Sequence, residues 1–122
     1  MGKDSPASGL GKLMSGTDDN AVVVVATITP AEGREADVEK ALREAIPAVH
    51  DEPGCLIYAL HRAQSGAFVM VEKWASAQAL KTHSTAAALT ALAAKLDGAL
   101  AVPTDVRLLE PLPEGNADRG TV

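Results

Sequence analysis

The sequence predicts a single α+β domain in which helices cover one face of a four-stranded antiparallel sheet, and three observations lead there. Residues 21–29 (AVVVVATIT) are β-branched almost throughout, which crowds a helix and suits a pleated strand. Residues 55–62 and 67–74 are strand-like and are joined by Ala63-Gln64-Ser65-Gly66, a loop length typical of glycine-containing hairpins. Around these strands lie two segments, 34–50 and 76–96, with apolar side chains at helical spacing.

Residues 1–20 are rich in Gly, Ser and Asp, carry isolated Leu10, Leu13 and Met14, and follow neither period, so they are expected to form a disordered arm. After the first strand, Pro30-Ala31-Glu32-Gly33 reads as a turn, although Thr29 with Glu32 could form a capping box that starts the helix earlier. In 34–50, Val38, Leu42, Ala45 and Val49 form the apolar stripe, Pro47 should kink the last turn, and Glu52-Pro53-Gly54 closes the segment. In 76–96 the inward positions include Leu80, Leu92 and Leu96, with Ser84 a candidate cap for a second helix after a break at His83 and Gly98 ending it. Residues 104–109 alternate weakly as a last strand. The domain is therefore expected over 21–112, with a flexible tail at 113–122. The order β-α-β-β-α-β is the split βαβ, ferredoxin-like arrangement.

Composition narrows the functional classes. The chain has 122 residues, enough for one core and too few for two domains. Eleven Lys plus Arg against sixteen Asp plus Glu give a net charge of −5, which disfavours nucleic acid as a partner. With 47% hydrophobic and 22% charged residues it reads as a soluble chain with no membrane partner, and its one cysteine, Cys55, forms no internal disulfide, so a cytoplasmic location is expected. No phosphate-loop glycine pattern, CxxC, HExxH or G-x-S-x-G occurs, and the three histidines lack the spacing of a metal site.

A four-residue hairpin loop would set Arg62 opposite Ala67, placing Tyr58 with Leu56, Leu60, Val69 and Val71 on one face. The other face would hold His61 opposite Phe68, Ala59 opposite Met70, Ile57 opposite Glu72 and Cys55 opposite Trp74. His83 falls beside the inward stripe of its helix, three residues after Leu80. One chemical reading is an apolar pocket in which His61 or His83 takes a proton from a substrate, Glu72 orients the imidazole and Trp74 stacks on a ring. The structural alternatives are hydrogen-bonded core histidines, a core tryptophan, a Glu72 paired with a helix cation, a Cys55 that is merely a small buried hydrophobe, and a His50 at a solvated helix end beside Asp51 and Glu52. Strand one is apolar on both faces, so the helix-free side needs cover, and a second subunit joined sheet to sheet supplies it.

Glu52-Pro53-Gly54-Cys55-Leu56, followed by Glu72-Lys73-Trp74 and by His83 nine residues after the tryptophan, resembles the antibiotic biosynthesis monooxygenase family over residues 21–111. The resemblance implies a homodimeric α+β barrel of ferredoxin-like protomers. It implies activities ranging from cofactor-independent oxidation of aromatic polyketides and quinols to haem degradation and the handling of a small sugar phosphate. In the aromatic-polyketide branch a hairpin histidine and the tryptophan line the pocket, which implies roles for His61 and Trp74; this chain departs from that branch in carrying Met70 and Leu80 where it has asparagine and tyrosine. The haem-degrading branch uses an asparagine, a tryptophan and an axial histidine where this chain carries Ala26, His83 and Ala93, which disfavours haem.

The expected function is therefore a cofactor-free monooxygenase consuming dioxygen and a small hydrophobic, phenolic or quinol-like substrate. His61 or His83 would be the base, with Trp74, Glu72, Met70, Phe68 and Leu80 lining the substrate site. The alternatives are a non-catalytic dimer that binds small molecules, or an isomerase of a small phosphorylated sugar.

Overall fold

A computed structural model describes residues 20–122, so all but the last residue of the expected N-terminal arm lies outside the described residues. The chain runs β1 (Val22–Ile28), α1 (Glu35–His50), β2 (Cys55–Arg62), β3 (Phe68–Trp74), α2 (Ala77–Ser84), α3 (Ala87–Leu96) and β4 (Asp105–Leu109). The strands form one open antiparallel sheet in the order β2-β3-β1-β4, as a split βαβ connection requires. Val22, Val24, Ala26 and Ile28 of β1 and Phe68, Met70 and Trp74 of β3 face the helices. They are buried against Val38, Leu42 and Val49 of α1, Leu80 of α2, and Leu92 and Leu96 of α3.

Three local expectations are corrected. The second helical segment divides into two helices as expected, though after Ser84 rather than at His83, and Ser84 does not cap the later one: it ends α2, donating its hydroxyl to the Lys81 carbonyl (2.6 Å), while Ala86 precedes α3 without a side-chain cap. Ser76 caps α2 instead, its Oγ accepting from the Ala79 N–H at 3.1 Å. Thr29 and Glu32 start no helix, because residues 30–34 turn, with Pro30 bridging Leu100, before α1 begins at Glu35. His50 is the exposed last residue of α1, as expected, and its Nε2, 3.0 Å from the Tyr58 carbonyl, donates to that oxygen.

The hairpin register decides which residues meet. The hairpin loop has five residues rather than four: the Ala63 N–H bonds the Ala67 carbonyl at 2.8 Å, the Gly66 N–H bonds the Ala63 carbonyl at 2.9 Å, and Gly66 adopts a φ of +94°. Ala67 thus belongs to the turn, and Arg62 pairs with Phe68, His61 with Val69, Leu60 with Met70, Ala59 with Val71 and Tyr58 with Glu72. A one-residue slip transfers every β2 side chain to the opposite face. Tyr58 joins the helix-facing side and His61 leaves it. An irregularity between Cys55 and Ile57 takes up the extra residue, so Cys55 still pairs with Trp74. On the helix-free face Val25, Ile57, Ala59, Val69 and Val71 remain partly exposed.

Candidate functional site

Helices α2 and α3 and the segment entering β4 stand off the sheet and leave a cavity of about 660 Å³. Its walls are largely aliphatic, including Val24, Ala26, Ile28, Leu42, Met70, Leu80, Leu89, Leu92 and Leu96, and the buried polar groups that reach it come from Tyr58, Glu72 and His83. An apolar chamber with a few convergent polar groups is the usual form of a small-molecule site.

Three elements bring those groups together. Glu72 and Trp74 alternate onto the helix-facing side of β3, and Tyr58 lies directly across from Glu72 on β2. His83 continues the buried stripe Ala77, Leu80, His83 of α2. Its ring, 3% exposed, stacks on Trp74 with centroids 4.4 Å apart and planes 29° apart, while Tyr58 meets its edge at 5.5 Å. The Trp74 indole N–H donates to Glu72 Oε1 at 3.0 Å, and Nε2 of His83 lies 3.9 Å from the same oxygen. On the other side of the imidazole, Nδ1 is 2.7 Å from Glu52 Oε1, and Glu52 Oε2 is buried without a hydrogen-bond partner.

Glu52 reaches His83 because the turn after α1 is seated on α2. Gly54 adopts a φ of +81°, its carbonyl accepts from the Ala75 N–H at 2.8 Å, and a Cβ there would lie 2.5 Å from the Ala79 methyl. Only glycine allows so close an approach in that conformation.

Burial shapes the ionisation of the cluster. Desolvation raises the Glu72 carboxyl above its ordinary value, with the Glu52 charge adding to it and the Trp74 hydrogen bond and His83 opposing. Tyr58 is pushed far up, first by desolvation and then by the charges of Glu72 and Glu52, so its phenol keeps its proton. The Cys55 thiol is raised by the same three influences and stays a thiol.

Of the residues expected at the site, His83, Glu72, Met70 and Leu80 line the cavity. Trp74 is fully buried behind His83 and is a platform for the imidazole rather than a cavity wall. Phe68 is buried at the Arg62 end of the hairpin, its ring 5.2 Å below the Arg62 guanidinium, and does not reach the cavity. His61 is exposed on the opposite face, its Nδ1 bonding the Ala59 carbonyl at 3.1 Å, so the structure does not bring it to the others. In the sequence, Tyr58 is hidden by the hairpin register, and Glu52 reads only as part of the Glu-Pro-Gly turn that closes the first helix. Ala26, His83 and Ala93, the positions matched to the haem-degrading branch, all line the cavity. Among the described residues no group of His, Cys, Asp and Glu is arranged to hold a metal ion, and no helix is long and apolar enough to cross a membrane.

Solved structures share this architecture. A Caulobacter crescentus protein named for the antibiotic biosynthesis monooxygenases is 29% identical, with a TM-score of 0.72 over 77% of this chain and 92% of its own. Rv0793 from Mycobacterium tuberculosis is 26% identical, with a TM-score of 0.74 over 80% of this chain and 100% of its own. PA3566 from Pseudomonas aeruginosa is 28% identical, with a TM-score of 0.71 over 76% of this chain and 95% of its own. No curated protein matches the sequence. The family model for antibiotic biosynthesis monooxygenases matches residues 21–95, which span the sheet through β3 and all three helices. The chain belongs to the antibiotic biosynthesis monooxygenase family.

Proposed function

We propose that this protein is a cofactor-free monooxygenase acting on a phenolic, quinol or similarly electron-rich small molecule held in the cavity. The observation that carries the reading is a buried imidazole in a largely aliphatic chamber, with one ring nitrogen bonded to a carboxylate and the other on the side of Glu72. The substrate gives a proton to Nε2 of His83, and the resulting phenolate or enolate passes one electron to dioxygen. Recombination of the substrate radical with superoxide forms a carbon–oxygen bond. The peroxide anion so formed takes the proton back from the imidazolium, and the hydroperoxide loses water, leaving one oxygen atom in a new carbonyl and the other in the water. The substrate supplies all the reducing power. The Glu72 carboxyl beside Nε2 stabilises the imidazolium, and the protonated Tyr58 phenol offers a hydrogen bond to a developing oxyanion.

Among the described residues that line the cavity there is no Lys or Arg, and two carboxylates flank His83, so a phosphorylated sugar finds no countercharge. The half-covered apolar face of the sheet supports a homodimer, which light scattering at micromolar concentration tests; a monodisperse monomer contradicts it. The single thiol fits a cytoplasmic setting. Oxygen-electrode measurements with a panel of anthrones and quinols test the activity. Uptake of one dioxygen per substrate is expected, and saturable binding without uptake across the panel would instead make the protein a small-molecule binder.

A further inference from the structure

We infer that Glu52 is a positioning residue for His83, holding the imidazole with its proton on Nδ1 so that Nε2 is left as the basic nitrogen. This rests on the reading of His83 as the base and adds a residue from outside the cavity lining. The geometry is specific. A carboxylate offers only acceptors, so the 2.7 Å contact between Glu52 Oε1 and Nδ1 requires the hydrogen to sit on Nδ1, and a neutral ring then has its lone pair on Nε2. An imidazole in water favours the other tautomer, so without Glu52 the basic nitrogen would be on the wrong side of the ring.

The remaining neighbours do not do this. Glu72 and Trp74 on β3 and Tyr58 on β2 complete the surroundings. Trp74 fixes the plane of the ring by stacking but bonds neither nitrogen, since its indole N–H is committed to Glu72. Glu72 lies 3.9 Å from Nε2, beyond a good hydrogen bond, and is placed to stabilise the ring once protonated. Glu52 therefore sets the tautomer alone. Its side chain is 14% exposed and it sits on a turn locked to α2 by the Gly54 contact, so the carboxylate and the helix that carries His83 keep a fixed relation.

The test uses the full chain labelled with ¹⁵N-histidine and needs no substrate. Two-bond ¹H–¹⁵N correlations, with His83 assigned by comparison with His83→Gln, should show Nδ1 as the protonated nitrogen and Nε2 as the unprotonated one in the neutral ring. Glu52→Ala should move His83 toward the Nε2–H form. Once a substrate is confirmed, it should also lower kcat by about two orders of magnitude with KM little changed, and Glu52→Asp should restore less than the parent because its shorter arm cannot keep both position and distance. If Glu52→Ala does not fold, the parent spectrum decides by itself. A parent His83 in the Nε2–H form, or a folded Glu52→Ala with an unchanged tautomer, overturns the inference. An Nδ1–H His83 in a protein that consumes no oxygen would leave this assignment standing and remove only the activity.

Discussion

His83 and Trp74 lie stacked, ring centroids 4.4 Å apart, with the tryptophan wholly inside the core and the histidine at the cavity wall. The largest side chain of the core therefore serves as the seat of the only imidazole among the cavity-lining residues described. Trp74→Ala should cost about 3–5 kcal/mol of stability through the void it leaves. Trp74→Phe, which keeps a stacking face but loses the donor to Glu72, should cost less and retain measurable turnover. Urea unfolding paired with the activity of the folded fraction checks both.

The hairpin register separates two neighbours on β2. His61→Ala, on the exposed side, should leave turnover and ligand binding within about twofold of the parent, as expected of a surface change. Tyr58→Phe, on the cavity side, should reduce kcat/KM by about fivefold to tenfold, the scale of one lost hydrogen bond. Steady-state kinetics on the two folded variants tell them apart, and the opposite ranking would mean that β2 functions with its other face.

Glu72 gives a pH signature in stability. Because burial raises its carboxyl in the folded protein, the folded state holds that proton more tightly than the unfolded chain, whose carboxyl titrates near the ordinary 4.5. As pH rises from there through the raised folded value, the unfolded state loses the proton first and stability falls. Glu72→Gln should remove this fall while its amide oxygen still accepts from Trp74. Glu39 and Glu44, both lowered, act with the opposite sign, so the comparison is the difference in urea midpoint between Glu72→Gln and the parent across the acidic range.

Gly54→Ala should destabilise the fold by about 1–3 kcal/mol, since the new methyl would collide with Ala79 at a positive φ. Gly33→Ala, at a similar φ with open space around it, should cost only the backbone strain. A thermal melt of the two variants measures the collision as the difference between them.

Much of this fold is legible in the sequence because period and residue type set it: the β-branched run of β1, the Val38-Leu42-Val49 stripe of α1 and the order of elements all follow from local patterning. The register was not legible. Whether Ala67 closes the turn or opens the strand depends on backbone bonding at Ala63 and Gly66, and alanine has no preference strong enough to decide it. That one residue exchanged Tyr58 for His61 at the site. Glu52 was hidden for a different reason: its contact with His83 spans 31 positions and depends on the turn's seat against α2, which no local pattern encodes. The burial of His83, Glu72, Met70 and Leu80, which line the cavity, follows helix and strand periodicity and is legible for that reason.

His83, in this cavity, is proposed as the base for insertion of one atom of dioxygen into the substrate. Turnover under ¹⁸O₂, followed by mass spectrometry of the product, addresses it most directly. The parent should place one labelled atom in each product molecule, and folded His83→Gln should do so about a hundredfold or more slowly. Product without label would rule out oxygen insertion, and labelling by folded His83→Gln at the parent rate would rule out His83 as the base.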